Sequence, residues 1–255
     1  MNKAKIAVIS CTHSPFTPED TREWLLSTLS NIKGLTHFGH LGDVFDATSA
    51  SVHPNEAQHT LEDEYAHASG LLKDIRAVLP SNCELWVNNG NHDDNLMAKD
   101  PRRIPQDLRG LVHWSRHPEF CHEFRKWEWL PYSKSKDGIK RIGQCLFFHG
   151  FDVGASSDEL EGLQAVNMTD APKWSLTVRG HTHRPTGPTQ SKRTSKIPLP
   201  WYHMNVGTCG PLNPDYMQRK DTSQWGAAVG VVETLVASPS KLNGKCWEAQ
   251  LLRMP

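Results

Sequence analysis

The chain lacks a charge bias: over 255 residues, lysine plus arginine and aspartate plus glutamate number 28 each. With no net field to steer it onto nucleic acid or an anionic membrane, an anionic substrate has to be held locally. Long apolar runs are missing as well. The opening MNKAKIAVISCTH has too short an apolar run for a signal peptide, and no later run approaches a membrane span, which points to a cytoplasmic protein with no membrane partner. Paired cysteines are also absent. Cys11, Cys83, Cys121, Cys145, Cys209 and Cys246 stand singly with no CxxC, which suits a reducing compartment better than a disulfide framework. No internal repeat or composition break divides the chain, and its length can bury one large core, so residues 1–255 read as a single domain.

What the sequence has in surplus is histidine, 14 in all. The informative ones follow short apolar runs. Lys5 to Ser10 reads as a buried strand, and so do Leu35 to Asp43, Cys83 to Asn89, Gln144 to Gly150 and Ser175 to His181. Each run breaks into polar residues. A helix follows the first strand, with Thr17 as its cap, Pro18, Glu19 and Asp20 in its first turn, and Trp24, Leu25, Leu29 and Ile32 on one face. A longer helix is expected from Asn55 to Leu79, stopped by Pro80, and Arg102 to Lys136 with its Trp114, Trp127 and Trp129 also looks helical. Arg184 to Pro200 reads as a mobile polar loop and Tyr202 to Leu252 mostly as strands.

Collected in order, the residues at the strand ends are Cys11 and His13; Asp43 and Asp46; Asn91, His92 and Asp93; His149; and His181 with His183. Binding groups in open α/β sheets gather beyond the carboxyl ends of the strands, so this shared placement is itself a functional signal. Imidazoles, a carboxylate and an amide oxygen suit divalent transition ions, and a thiolate tilts the set towards zinc or ferrous iron. Cys11 and His13, spaced i, i+2 at a strand end, are expected to point to one side. An isolated cysteine there would most often be core filler, but beside His13 it reads as a ligand. His40 is the nearest of the remaining histidines.

The blocks CTH, GDVFD, GNHD, FHG and GHTH, spanning residues 9 to 183, resemble in type and order the signature of the calcineurin-like metallophosphoesterases. The resemblance implies an α/β fold, a four-layer α/β/β/α sandwich of two mixed sheets flanked by helices, with two divalent ions (zinc, iron or manganese) at the strand ends. It implies Cys11, His13 and His183 around one ion, Asn91, His149 and His181 around the other, and Asp43 between them. His92 would face the substrate phosphate and Asp46 would orient it. Cys11 stands where the family has aspartate; it supplies the same single negative charge as a thiolate, with the softer metal expected on its side.

The implied activity is hydrolysis of a phosphate ester, a phosphodiester or nucleotide above others, by attack of metal-bound hydroxide. A nuclease that processes DNA ends shares these blocks, although the neutral charge disfavours long duplex contact and leaves short single-stranded nucleic acid as the fitting polymer. A scaffold of this fold without turnover is the rival of another class, with Cys11 as its argument and the retained His92 and Asp46 against it.

Overall fold

Strand β1 (Asn2–Ile9) is apolar on both faces, and its alternation sorts its residues into two cores: Ala4, Ile6 and Val8 enter one, Ala7 and Ile9 the other. The computed structural model describes residues 2–50, 59–97, 112–193, 200–214, 221–236 and 244–255. Beside β1 lie β2 (His37–His40), β3 (Glu84–Asn88) and β4 (Glu128–Leu130), all parallel, and on its other edge the antiparallel β10 (Ala228–Val236) and β11 (Trp247–Arg253). The second sheet runs β5 (Lys140–Ile142), β6 (Cys145–Phe148), β7 (Leu176–Arg179), β9 (Tyr202–Asn205), β8 (Thr186–Gln190), with β6, β7 and β9 parallel and the two edge strands antiparallel.

The sheets pack face to face through Ile6, Val8, Trp86, Phe147, Val178 and Met204. Gly39 makes room for that core, since a Cβ there would fall 2.1 Å from the Trp86 ring. Helices α1 (Glu19–Asn31), α2 (Leu61–Val78) and α4 (Pro118–Phe124) cover the outer face of the first sheet with Leu25, Leu29, Leu71, Leu72, Ile75 and Phe124. Between α2 and α4 in the chain, the short α3 (Asn91–Met97) follows β3. Helix α5 (Ser157–Met168) covers the second sheet through Ala165 and Val166, against Leu146 and Phe148. The result is the expected order of layers, helix, sheet, sheet, helix, with β1, β2, β3, β6 and β7 opening onto one end. Among the described residues no helix is long and apolar enough to cross a membrane.

Four local expectations are corrected. Thr17 does not cap α1: its hydroxyl donates to the Thr12 carbonyl at 2.7 Å, and Pro18 is the N-cap. Helix α2 begins at Leu61, because Thr60 and Asp63 form a reciprocal capping box; residues 55–58 lie outside the described set. Of the expected helical stretch 102–136, residues 102–111 lie outside the described set, and 112–136 hold a helical turn, the seven-residue α4 and strand β4 rather than one helix. Pro118 starts α4 at a position where proline is tolerated, and past its end Glu128–Leu130 pairs with β3. In the expected loop 184–200, Thr186–Gln190 forms edge strand β8; residues 194–199 are not described.

Candidate metal centre

Past β1 and β2 the chain forms two loops that run side by side. Cys11 N donates to Gly42 O at 2.8 Å, His13 N to Asp43 O at 3.0 Å, Ser14 N to Val44 O at 2.8 Å, and Asp46 N returns to Ser14 O at 3.0 Å. Within this ladder Cys11 (φ 55°), His13 (48°) and Asp43 (55°) are left-handed, as are His181 (66°) and His183 (60°) on the facing sheet. Residues other than glycine seldom occupy that region, and a cluster of them marks a strained, over-determined site. The i, i+2 argument is therefore corrected in its cause. Strand β1 stops at Ile9, and Cys11 and His13 converge through the left-handed loop, with the Thr12 hydroxyl between them directed at His40 Nε2 (3.0 Å) and Val44 O (3.2 Å).

Asp93 holds the loops together from below. Its Oδ2 accepts Asp43 N and Gly90 N at 2.8 Å each, and its Oδ1 accepts Phe45 N at 3.0 Å. Burial and the nearby Asp43 raise the Asp93 carboxyl to about 7. Asp43 Oδ1 in turn accepts His92 N at 2.9 Å. Gly90 is required here: a Cβ on it would stand 2.1 Å from Asp43 Oδ1. The facing sheet touches the first loop directly, with the Thr208 hydroxyl donating to Cys11 O at 2.8 Å and Cys209 N to Ser10 O at 2.9 Å.

The fold brings all seven expected ligands together in two groups. Cys11, His13 and His183 have donor atoms within 4.8 Å of one another, and His13 Nε2 faces His183 Nε2 at 3.3 Å. In the other group His149 Nε2 lies 3.2 Å from Asn91 Oδ1 and 3.1 Å from His181 Nδ1. Asp43 Oδ2 stands between them, 3.1 Å from His149 Nε2, 3.9 Å from His13 Nε2 and 4.0 Å from Cys11 Sγ. Nitrogens bound about 2.0–2.1 Å from a tetrahedral zinc are roughly 3.3 Å apart, so this spacing matches ligands around an ion.

Proton placement carries the same message. Leu41 O, 2.6 Å from His149 Nδ1, can only accept, which assigns the proton of the neutral ring to Nδ1 and turns the Nε2 lone pair on Asn91, His181 and Asp43. The Asp46 carboxylate, 2.9 Å from His13 Nδ1, does the same for His13. Burial, reinforced by the neighbouring His149, drops His181 to about 3, and burial with His13 lowers His183, so both stay in the neutral, ligating form. Burial opposes ionisation of Asp43, but His149, His92 and His13 outweigh it and hold the carboxyl well below the usual range. Burial, with Asp43, pushes the Cys11 thiol well up, so a cation would have to displace its proton. Ligand atoms that converge in this way on a buried carboxylate fit a divalent ion.

No protein-family model matches the chain, and no curated protein matches it. Among solved structures it is similar to a 5'-nucleotidase precursor from Thermus thermophilus, at 13% identity and a TM-score of 0.45, over 99% of this chain and 55% of that one. A hypothetical protein from the same organism is similar at 11% identity and a TM-score of 0.42, over 98% of this chain and 100% of that one. The chain thus spans about half the length of the first. Likenesses this distant leave function to the chemistry of the site.

The two residues expected at the substrate are beside the ligand groups. His92 Nδ1 is 2.6 Å from the Asp46 carbonyl oxygen, while the Asp46 carboxylate is 3.7 Å away and engaged with His13. Asp46 thus holds His92 by its backbone and His13 by its side chain. Burial disfavours the charged His92, but Asp43, Asp46 and the bond to the Asp46 carbonyl together raise it above its ordinary value. Half-buried Trp225 packs edge-on against the His183 ring, with centroids 4.2 Å apart. His40 is fully buried beneath Thr12 and lowered to about 3 by burial, outside both groups. In the charge run Lys192, Arg193 and Lys196, Arg193 is tied to Glu159 at 3.0 Å and Lys196 is not described. Sequence reasoning gave no role to Asp93 or to Arg179, whose signal was a charge inside an otherwise apolar strand.

Proposed function

We propose that the chain is a dinuclear metal-dependent phosphoesterase. Cys11, His13 and His183 would hold one ion, Asn91, His149 and His181 the other, and Asp43 would be common to both. The observation that carries this reading is the convergence of ligand atoms on both sides of one buried carboxylate. Two ions there would supply Lewis acidity towards phosphoryl oxygens and water, with the thiolate side favouring zinc or ferrous iron.

The chain's own residues do the rest. With Nδ1 committed to the Asp46 carbonyl, His92 keeps Nε2 for the substrate, where it donates to the leaving oxygen of the ester. Asp46 keeps the His13 ring turned inward, and Leu41 O does so for His149. The balance of 28 acidic and 28 basic side chains favours a small phosphodiester or nucleotide over long duplex DNA, which needs many phosphate contacts.

Elemental analysis after gentle purification and reloading, followed by turnover on a phosphomonoester, a phosphodiester and duplex DNA with zinc, manganese or iron, tests the reading. Two ions per chain and cleavage of the small esters are expected. No second ion at saturating metal overturns the dinuclear centre, two ions without turnover on any ester point to a scaffold, and rapid processive digestion of duplex ends points to a nuclease.

A further inference from the structure

Arg179, the last residue of β7, is only 1% exposed. A guanidinium is rarely buried unless carboxylates compensate it, and here they come from α5: Glu161 Oε2 lies 2.5 Å from Nη1 and Asp158 Oδ1 3.5 Å from Nε. Both acids also grip the ligand loops. Glu161 Oε1 accepts Phe151 N at 2.8 Å and Asp152 N at 3.1 Å, and Arg179 Nη2 donates to Asp152 O at 2.9 Å. Gly150, left-handed at φ 110°, lies flat on the guanidinium, since a Cβ on it would be 2.5 Å from Nη2. The segment after His149 is thus moulded onto Arg179.

Asp158 also reaches the other loop. Asp158 Oδ1 accepts Asn205 Nδ2 at 2.9 Å, and that amide also faces Gly180 O at 2.9 Å and Thr182 Oγ1 at 2.8 Å, on either side of His181. Gly180 N closes the circuit on His149 O at 3.2 Å.

We propose that the Arg179, Glu161, Asp158 and Asn205 network is a positioning device: it sets the separation of His149 and His181, and so governs the ion they share with Asn91. This rests on the dinuclear reading above. A network that served only to hold the fold would weaken both ions or neither, whereas a positioning device acts on one.

Cobalt(II) titrated into the metal-free full chain reads the two ions apart, because only the group containing Cys11 gives sulfur-to-cobalt charge-transfer absorption. Arg179→Lys keeps a cation but loses the planar fork that meets both acids, the Asp152 carbonyl and the face of Gly150. The sulfur signature should stay at its wild-type midpoint while the sulfur-free ion binds about 10- to 100-fold more weakly. A second variant, Arg179→Met with Glu161→Gln, removes both charges while the glutamine oxygen goes on accepting Phe151 N and Asp152 N, so the same selective loss is expected in a folded chain. Wild-type affinity for the sulfur-free ion in both variants overturns the proposal, as does parallel weakening of both ions with the unfolding temperature. If the unaltered chain takes up no second ion, the dinuclear reading fails first and the positioning role with it.

Discussion

On the first sheet, one carboxylate, Asp93, gathers the backbone N–H groups of Asp43, Phe45 and Gly90, so the loops after β2 and β3 are fixed by their peptides. On the second sheet, Glu161 and Asp158 grip a buried arginine, and the loops after β6 and β7 are fixed around that side chain. The first arrangement carries Asp43, which faces both ligand groups; the second grips the chain beside His149 and His181, which face one, and its last contact is at Thr182, before His183 of the other group. One side is therefore a common foundation and the other an adjustment to a single ion. The difference is best exposed by counting ions lost.

Breaking the foundation should cost most. Asp93→Ala leaves three buried N–H groups without their acceptor, which corresponds to about 3 kcal/mol or more of stability, read from urea unfolding. Elemental analysis should then find neither ion; retention of both would mean that Asp43 is held by something else. Removing a donor from one group should cost one ion. Cys11→Ala is expected to lose the ion shared with His13 and His183 together with most turnover, while Cys11→Asp keeps two ions and shifts the preference towards manganese, since oxygen ligands suit that metal. If Cys11→Ala retains two ions and full rate, the thiol is core filler.

His92→Asn should cost no ion at all, yet lower turnover about a hundredfold or more, because only the donor to the leaving oxygen goes. Loss of an ion in that variant would make His92 a ligand and break the division between the groups. The smallest effect lies away from the cleft, on the helix that carries the second clamp. Burial opposes ionisation of Glu159, but donors from Ser191, Lys192 and Arg193 outweigh it and bring its carboxyl down to about 2. That is below the ordinary glutamate value of about 4.3, so its contribution to stability is present above that pH and is lost as pH falls through about 2. Glu159→Gln should unfold at a slightly lower temperature than the parent at neutral pH, with the gap closing across that acid window; a gap independent of pH would rule out the linkage.

The strand ends were legible because apolar runs that break into Asp, Asn and His are local patterns, and all seven expected ligands meet at that end of the sheets. Edge strands β4 and β8 were not. Thr186–Gln190 pairs only with β9 and is largely exposed, so it has no apolar alternation to read. Trp127 and Trp129, two residues apart, have a strand's spacing that the expected helix passed over, and Glu128–Leu130 pairs with β3. Asp93 and Arg179 act on peptides and side chains distant in the chain, and no local pattern reports such partners. The left-handed backbone of Cys11 and His13 is imposed by the neighbouring loop, which is why the convergence was foreseen and its cause was not.

The contacts at residue 11 have a consequence for how the metal preference of such a centre can change. The fold recognises that residue by its peptide atoms, the amide on Gly42 O and the carbonyl under Thr208. Its side chain meets the Ser10 hydroxyl at 3.0 Å, the His181 backbone N–H and Asp43 at 4.0 Å. The position behaves as a socket: its occupant can be exchanged for another short anionic donor that tolerates left-handed backbone, as aspartate does, and the exchange alters which ion is chosen while the peptide contacts that hold the loop stay in place.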